Sequence, residues 1–338
     1  MEHLGFPTET VIIFAAVVVL SLFLDLFAHR KDSVITFKSA CLWSLFWIAL
    51  AVGFGAYLYL HHSPEMASLF FTGYVLEKVL SVDNLFVMMA IFSWFAIPGQ
   101  LRHRVLYWGV LGAIVFRAIF VAIGAELLSL GPYVEILFAV IVGYTAVMML
   151  KKKDEEEEIH DYSNHLAFRM VRRFFPVWPK LNGHDFFLSR AQAAEESKKQ
   201  NIQIEGLGRS ASWVVTPLFL CLAVTEVSDV MFAFDSVPAV IAVSREPFII
   251  YSAMIFAILG LRSLYFVLES MSGKLVYLEK AVIVLLFFIT AKLLLSGVNH
   301  IWHVGFEISP EMSLAIVLGV LACGIIASLF TLKRNDKA

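Results

Sequence analysis

Long apolar runs decide the solvent in which this chain folds. Nine of them, near residues 8–28, 38–60, 66–97, 105–128, 131–150, 214–243, 247–270, 277–296 and 312–332, are each close to or above the roughly 20 residues a helix needs to cross a bilayer. In lipid the backbone must satisfy its own hydrogen bonds, which leaves helices or a closed barrel, and runs of this length suit helices. Hydrophobic residues make up 59% of the 338 and charged residues only 16%, a balance outside that of soluble domains. The expected fold is an all-α membrane protein of about nine transmembrane helices. The first run has no Lys or Arg before Arg30 and no small-residue cleavage site, so it reads as a mature span rather than a signal peptide. Cys41, Cys221 and Cys323 stand apart in apolar segments, without the spacing of a disulfide framework or a zinc site, and read as packing residues.

Basic residues orient these spans. Arg30/Lys31/Lys38, Arg102/Arg104, Lys151 to Lys153, Lys274 and Lys333/Arg334 fall on alternate connections, while the others hold only Arg245. The positive-inside rule then places the N-terminus outside, and the loop 151–212 and the C-terminus in the cytoplasm. Within that loop, KKKDEEEEIHD (151–161) reads as a solvated charge block. HLAFRMVRRFFPVWP (165–179) sets Phe168, Val171 and Phe175 at helical spacing beside Arg169, Arg172 and Arg173, the pattern of a helix lying in the inner interface, with docking of soluble partners as the alternative. Residues 191–212 read as linker.

An internal repeat is the most informative feature. EKVLSVDNLFV (77–87) lies against DVMFAFDSVPA (229–239), matching Glu77 to Asp229, Asp83 to Asp235 and Asn84 to Ser236. The register persists through Arg117 and Arg262, YVEI (133–136) and YLEK (277–280), and Thr145 and Thr290. Three spans per unit is an odd number, so the units oppose one another in the membrane: an inverted three-plus-three repeat, which in many transporters holds substrate near the midplane. The chain divides accordingly into two N-terminal helices (1–65), a first repeat (66–150), a cytoplasmic loop (151–212), a second repeat (213–296) and a last outer loop, helix and basic tail (297–338).

The repeat retains acids that lipid penalises. At roughly 2.5–3.5 kcal/mol each, Glu77, Asp83, Glu226, Asp229 and Asp235 would together cost on the order of 15 kcal/mol if unpaired, as much as the whole stability of a typical domain, ~5–15 kcal/mol. They must be protonated, paired or coordinating a cation. Lys78, Arg117, Arg262, Lys280 and Lys292 lie within spans and are candidate charge partners or gates. Pro238 leaves the Phe234 carbonyl without its helical donor, which predicts a break near 233–238, and Ser81, Asp83 and Asn84 predict a matching disturbance in the third span. Carboxylate, amide, hydroxyl and carbonyl oxygens make Glu77, Asp83, Asn84, Glu226, Asp229, Asp235 and Ser236 a candidate site for a hard divalent cation, Mn²⁺, Mg²⁺ or Ca²⁺. Nearby Met88, Met89 and Met231 tilt that set toward Mn²⁺. His61, His62, His300 and His303 fall at outer loops and read as interfacial residues, with a low-affinity exit site at His300 and His303 as the alternative. No GxxxxGK[ST] motif is present, so an ion gradient is the expected driving force, with protons returning through the acids. An acid protease within the membrane is disfavoured by the missing GxGD context, and the chain reads as a non-enzyme.

EKVLSVDNLFVMMAIFSWF and EVSDVMFAFDSVPAVIAVSREPFIIYSAMIFAILGLRSLYF closely resemble the TerC family of membrane proteins, and the resemblance covers most of the spans. It implies divalent metal export across the bacterial inner membrane, with Mn²⁺ the leading substrate, in connection with tellurium resistance and metal homeostasis. It also implies soluble tellurium-resistance proteins as cytoplasmic partners, leaving a non-transporting membrane anchor as the alternative. Lipid, metal and protons are the other expected partners; no nucleic acid and no permanently bound cofactor is expected.

Overall fold

The computed structural model describes residues 2–3, 6–28, 35–151, 162–200, 204, 212–244, 246–271, 277–302 and 308–335. Twelve α-helices run through them: α1 (Thr8–Ala28), α2 (Phe37–His61), α3 (Pro64–Trp94), α4 (Gly99–Ser129), α5 (Pro132–Lys151), α6 (Leu166–Phe174), α7 (Arg190–Gln200), α8 (Pro217–Ile241), α9 (Pro247–Leu259), α10 (Leu261–Ser270), α11 (Leu278–Trp302) and α12 (Pro310–Asn335). The chain is thus an all-α, multi-pass membrane protein. Seven helices are long and apolar enough to cross a membrane, and α9 with α10 makes an eighth if taken as one span bent by 47°. The expected count of nine needs α3 as well. At 31 residues α3 is long enough, but Glu77, Lys78 and Asp83 fall within seven residues of its centre and lower its apolarity.

Local chemistry sets the helix starts. Ser63 caps α3 by accepting from the Met66 N–H at 3.1 Å, with Pro64 in the first turn, where its missing N–H costs nothing. Thr36 caps α2 through the Ser39 N–H at 3.3 Å. Between α3 and α4 the chain reverses through Ala96 at φ 50°, an uncommon conformation for a non-glycine residue. Arg102 holds that turn by donating to the Ile97 carbonyl at 2.9 Å.

Packing puts α3, α4, α8 and α9 at the centre. α4 lies along α8, α3 lies along α9, α5 lies along α11, and α3 touches α8 as α4 touches α9. Buried side chains fill α9 from Ser252 to Leu259. α1, α2 and α12 flank this group and expose apolar side chains such as Leu20, Phe23, Leu45 and Ile326, the faces that lipid covers. Buried Arg262 ties α10 to α1 through the Asp25 carboxylate and its carbonyl, the latter at 3.1 Å. Asp25 escaped the sequence reading because it has no counterpart in the repeat.

Four expectations need correction. The break expected at 233–238 is absent: α8 is continuous from Pro217 to Ile241, because Pro238 falls in its last turn, where loss of one bond leaves little helix to interrupt. α3 is likewise continuous. The observed break lies at Gly260, between α9 and α10, where an added Cβ would stand 2.7 Å from Lys78 Nζ and 3.1 Å from Trp47 Cβ. The linker expected from 191 contains α7, built of strong helix formers and a Glu195–Lys199 pair at 2.7 Å, beside an antiparallel pair of strands, β3 (Phe187–Ser189) and β4 (Trp213–Val215), numbered after a short terminal pair, β1 (Glu2–His3) and β2 (Phe6–Pro7). Trp178, Leu188, Ala193 and Val214 give this element a small core. α6 also presents a different face from the one expected. Phe168 is buried against Trp94 and Phe95, while Leu166, Met170 and Phe174 form the exposed apolar stripe.

Candidate functional site

Arg117 organises the centre of the molecule. It projects from α4 and is fully buried, pairs with Glu77 of α3, and lies 3.6 Å from Asp229 Oδ1 and 3.4 Å from Ser236 Oγ of α8. Ser81, one turn along α3, donates to Glu77 Oε1 at 3.1 Å. The two acids matched by the repeat, Glu77 and Asp229, therefore meet across one guanidinium. Each keeps an oxygen buried and without a hydrogen-bond partner among the described residues.

Glu226 sits one turn before Asp229 on α8, and its Oε2 is also buried without such a partner. It lies against α4 where Gly112 has no side chain, and a Cβ there would meet its carboxylate at 2.1–2.4 Å. Glycine at 112 is what allows the carboxyl group of Glu226 to fit between two packed helices.

A cavity of about 40 Å³, room for one water or small ion, opens beside Ser236. It is lined by Asn84 of α3, Thr145 and Met149 of α5, Phe232 and Ser236 of α8, and Leu286 of α11, among others. Asn84 and Ser236, matched in the repeat, thus face one space. Thr145 and Met149 were not expected there; the Thr145–Thr290 match was the available signal. The side chains of Asp83 and Asp235 lie outside the described residues. Among the described residues, no three His, Cys, Asp or Glu side chains converge as a preformed metal cage.

The other expected cations go elsewhere. Lys78 donates to the Ala257 carbonyl at 2.9 Å, at the end of α9, where a cation also meets the helix dipole favourably. Arg262 is committed to Asp25. Lys280 stands over the Tyr277 ring at 4.6 Å. Lys292 lines a larger pocket of about 380 Å³ with Glu65, Glu135, Ser244, Ser296 and His300, where His300 Nδ1 lies 3.5 Å from Glu135 Oε2. This pocket lies where the starts of α3 and α5 meet the ends of α8 and α11. His303 lies outside the described residues. His62 bonds Thr10 Oγ1 at 2.9 Å, and burial together with neighbouring His61 holds its imidazole below the usual range.

Fold and site together define a polytopic helical membrane protein with a buried, acid-rich polar centre. The chain belongs to the integral membrane protein TerC family, whose family model matches residues 62–337. It is 66% identical over 328 residues, 96% of this chain and 95% of the relative, to the tellurium resistance protein TerC of Serratia marcescens. A second tellurium resistance protein TerC, from an Alcaligenes species, is 63% identical over the same shares. The chloroplastic thylakoid membrane protein TERC of Arabidopsis thaliana is 37% identical over 86% of this chain and 68% of its own length. No solved structure matches.

Proposed function

We propose that this protein exports a divalent cation, Mn²⁺ foremost, from the bacterial cytoplasm across the inner membrane in exchange for protons. The observation that carries this reading is the excess of buried acid over buried base: Glu77 and Asp229 meet at Arg117, Glu226 lies one turn before Asp229 on α8, and one carboxylate oxygen of each is buried without a hydrogen-bond partner among the described residues. Such groups are expensive in a membrane and have a use where a cation or proton must dwell. The adjacent small cavity offers amide and hydroxyl oxygens from Asn84, Ser236 and Thr145 and the thioether of Met149, a donor set compatible with Mn²⁺. Moving a divalent ion out against a negative interior costs about 4.6 kcal/mol per 100 mV, so export needs a coupled ion. Acids that release metal outward and bind protons in its place supply that coupling.

Packing supports the inverted repeat. Exchanging α3 with α8, α4 with α9–α10 and α5 with α11 turns the α4–α8 contact into the α3–α9 contact and returns α5–α11 and α3–α8 to themselves. Nine spans, with α3 among them, fit that symmetry and put the termini on opposite sides of the membrane, and the basic connections favour a periplasmic N-terminus and a cytoplasmic C-terminus. Two relatives above 60% identity bear tellurium-resistance names, and metal export is our account of how this chain would contribute to such a phenotype. A second reading, a membrane anchor for soluble tellurium-resistance proteins, draws on the folded element of β3, β4 and α7 in the cytoplasmic loop.

Everted membrane vesicles separate the two. Proton-driven uptake of Mn²⁺, compared with Ca²⁺ and Mg²⁺, is expected for the native chain and is lost in Asp83→Asn and Asp235→Asn with insertion unchanged. Resistance that persists in both variants but disappears when α6 or α7 is disrupted would favour the anchor.

A further inference from the structure

We infer that Arg117 is a tethered counter-cation, occupying the place of the metal and exchanging with it during each cycle. The inference rests on the transport reading and assigns a role to a residue that reading does not need. Buried arginines that serve as structural clamps use their fork of five donors. Arg117 does not: only Nη1 makes hydrogen bonds, to Glu77 and Ser236, while Nε and Nη2 have none among the described residues. Its approach to Asp229, 3.6 Å, is an ion-pair distance longer than a hydrogen bond. Glu77 Oε2 and Asp229 Oδ2 are meanwhile left unpartnered inside residues 0% and 3% exposed. The guanidinium is thus held by charge more than by directed bonds.

Charge arithmetic then favours exchange. Two carboxylates with one guanidinium carry a net −1, whereas two carboxylates with a divalent ion are neutral, so a dication compensates this buried pair better than Arg117 does. A displaced guanidinium also has a destination. Glu226, one turn along α8, holds another partnerless buried oxygen against Gly112, which is about 7.5 Å along α4 from Arg117. Moving from Asp229 toward Glu226 keeps Arg117 paired while the metal is bound and returns it when the metal leaves. The site is never left with the bare charge that would trap the dication.

The test is equilibrium binding of ⁵⁴Mn²⁺ alone to purified full-length protein, with release from preloaded protein measured in parallel, for native, Arg117→Gln and Arg117→Lys chains that remain monodisperse. Loss of an internal competitor is expected to tighten Mn²⁺ binding by roughly tenfold or more in Arg117→Gln and to slow release by a similar factor, with Arg117→Lys in between. Weaker or unchanged binding in Arg117→Gln, with the native protein competent, would mean that Arg117 orients the acids and would overturn the inference alone. If only the lysine variant folds, binding no tighter than native overturns it equally. A native protein that neither binds nor moves any dication overturns the transport reading as well.

Discussion

Replacing Gly112 by alanine tests the position of Glu226 without touching a charge. The new Cβ would stand 2.1 Å from one carboxylate oxygen, so the group must retreat by about 1.3 Å to reach an ordinary contact near 3.4 Å. Only the flexible end of Glu226 has to move, so folding should be little affected. Function should not be spared, because misplacing a working group by about 1 Å costs up to roughly 100-fold. We expect Mn²⁺ uptake by reconstituted vesicles to fall roughly 10- to 100-fold in Gly112→Ala, with near-native thermal stability in detergent. In a Glu226→Ala background the obstruction disappears, so adding Gly112→Ala should change little further. Equal fold-losses from Gly112→Ala in both backgrounds would refute the reasoning, since the effect would then not pass through Glu226.

Other outcomes follow from the same geometry. Arg262→Met should destabilise the protein by roughly 3–5 kcal/mol by leaving Asp25 buried and uncompensated, and adding Asp25→Asn should restore much of that loss in thermal unfolding. Gly260→Leu should displace Lys78 from the Ala257 carbonyl, and Lys78→Met should match it in raising hydrogen exchange at the α9–α10 break. The depressed imidazole of His62 stabilises the fold above the unfolded value, near pH 6.5, and that contribution fades as pH falls through its lower folded value. Hydrogen-exchange protection factors at the start of α1, corrected for the intrinsic rate, should therefore fall in mild acid, and His62→Ala should remove that fall.

Much of the centre was legible because lipid makes charge conspicuous. Glu77, Asp229 and Arg117 stand out in apolar runs, and the repeat pairs the two acids before any coordinate is known; the structure joins them through Arg117. What periodicity does not carry is which partner each cation chooses. Lys78 is adjacent to Glu77 in sequence, yet successive helical residues point about 100° apart, and Lys78 reaches α9 instead. Pro238 misled because a proline's effect depends on how much helix follows it, and here only three residues do. α6 misled because both of its stripes are apolar, and only tertiary packing decides that Phe168 turns inward while Phe174 stays out. Gly112 carried no signal at all, since its meaning lies in the Glu226 carboxylate of another helix.

The most direct test of the account follows protons rather than metal. Native protein in vesicles loaded with a pH-sensitive dye, exposed to Mn²⁺ with no imposed gradient, should move protons opposite to the metal, and Glu77→Gln or Asp229→Asn should abolish the signal. A folded native protein that gives no proton movement with Mn²⁺, Ca²⁺ or Mg²⁺ would contradict exchange at the buried acids.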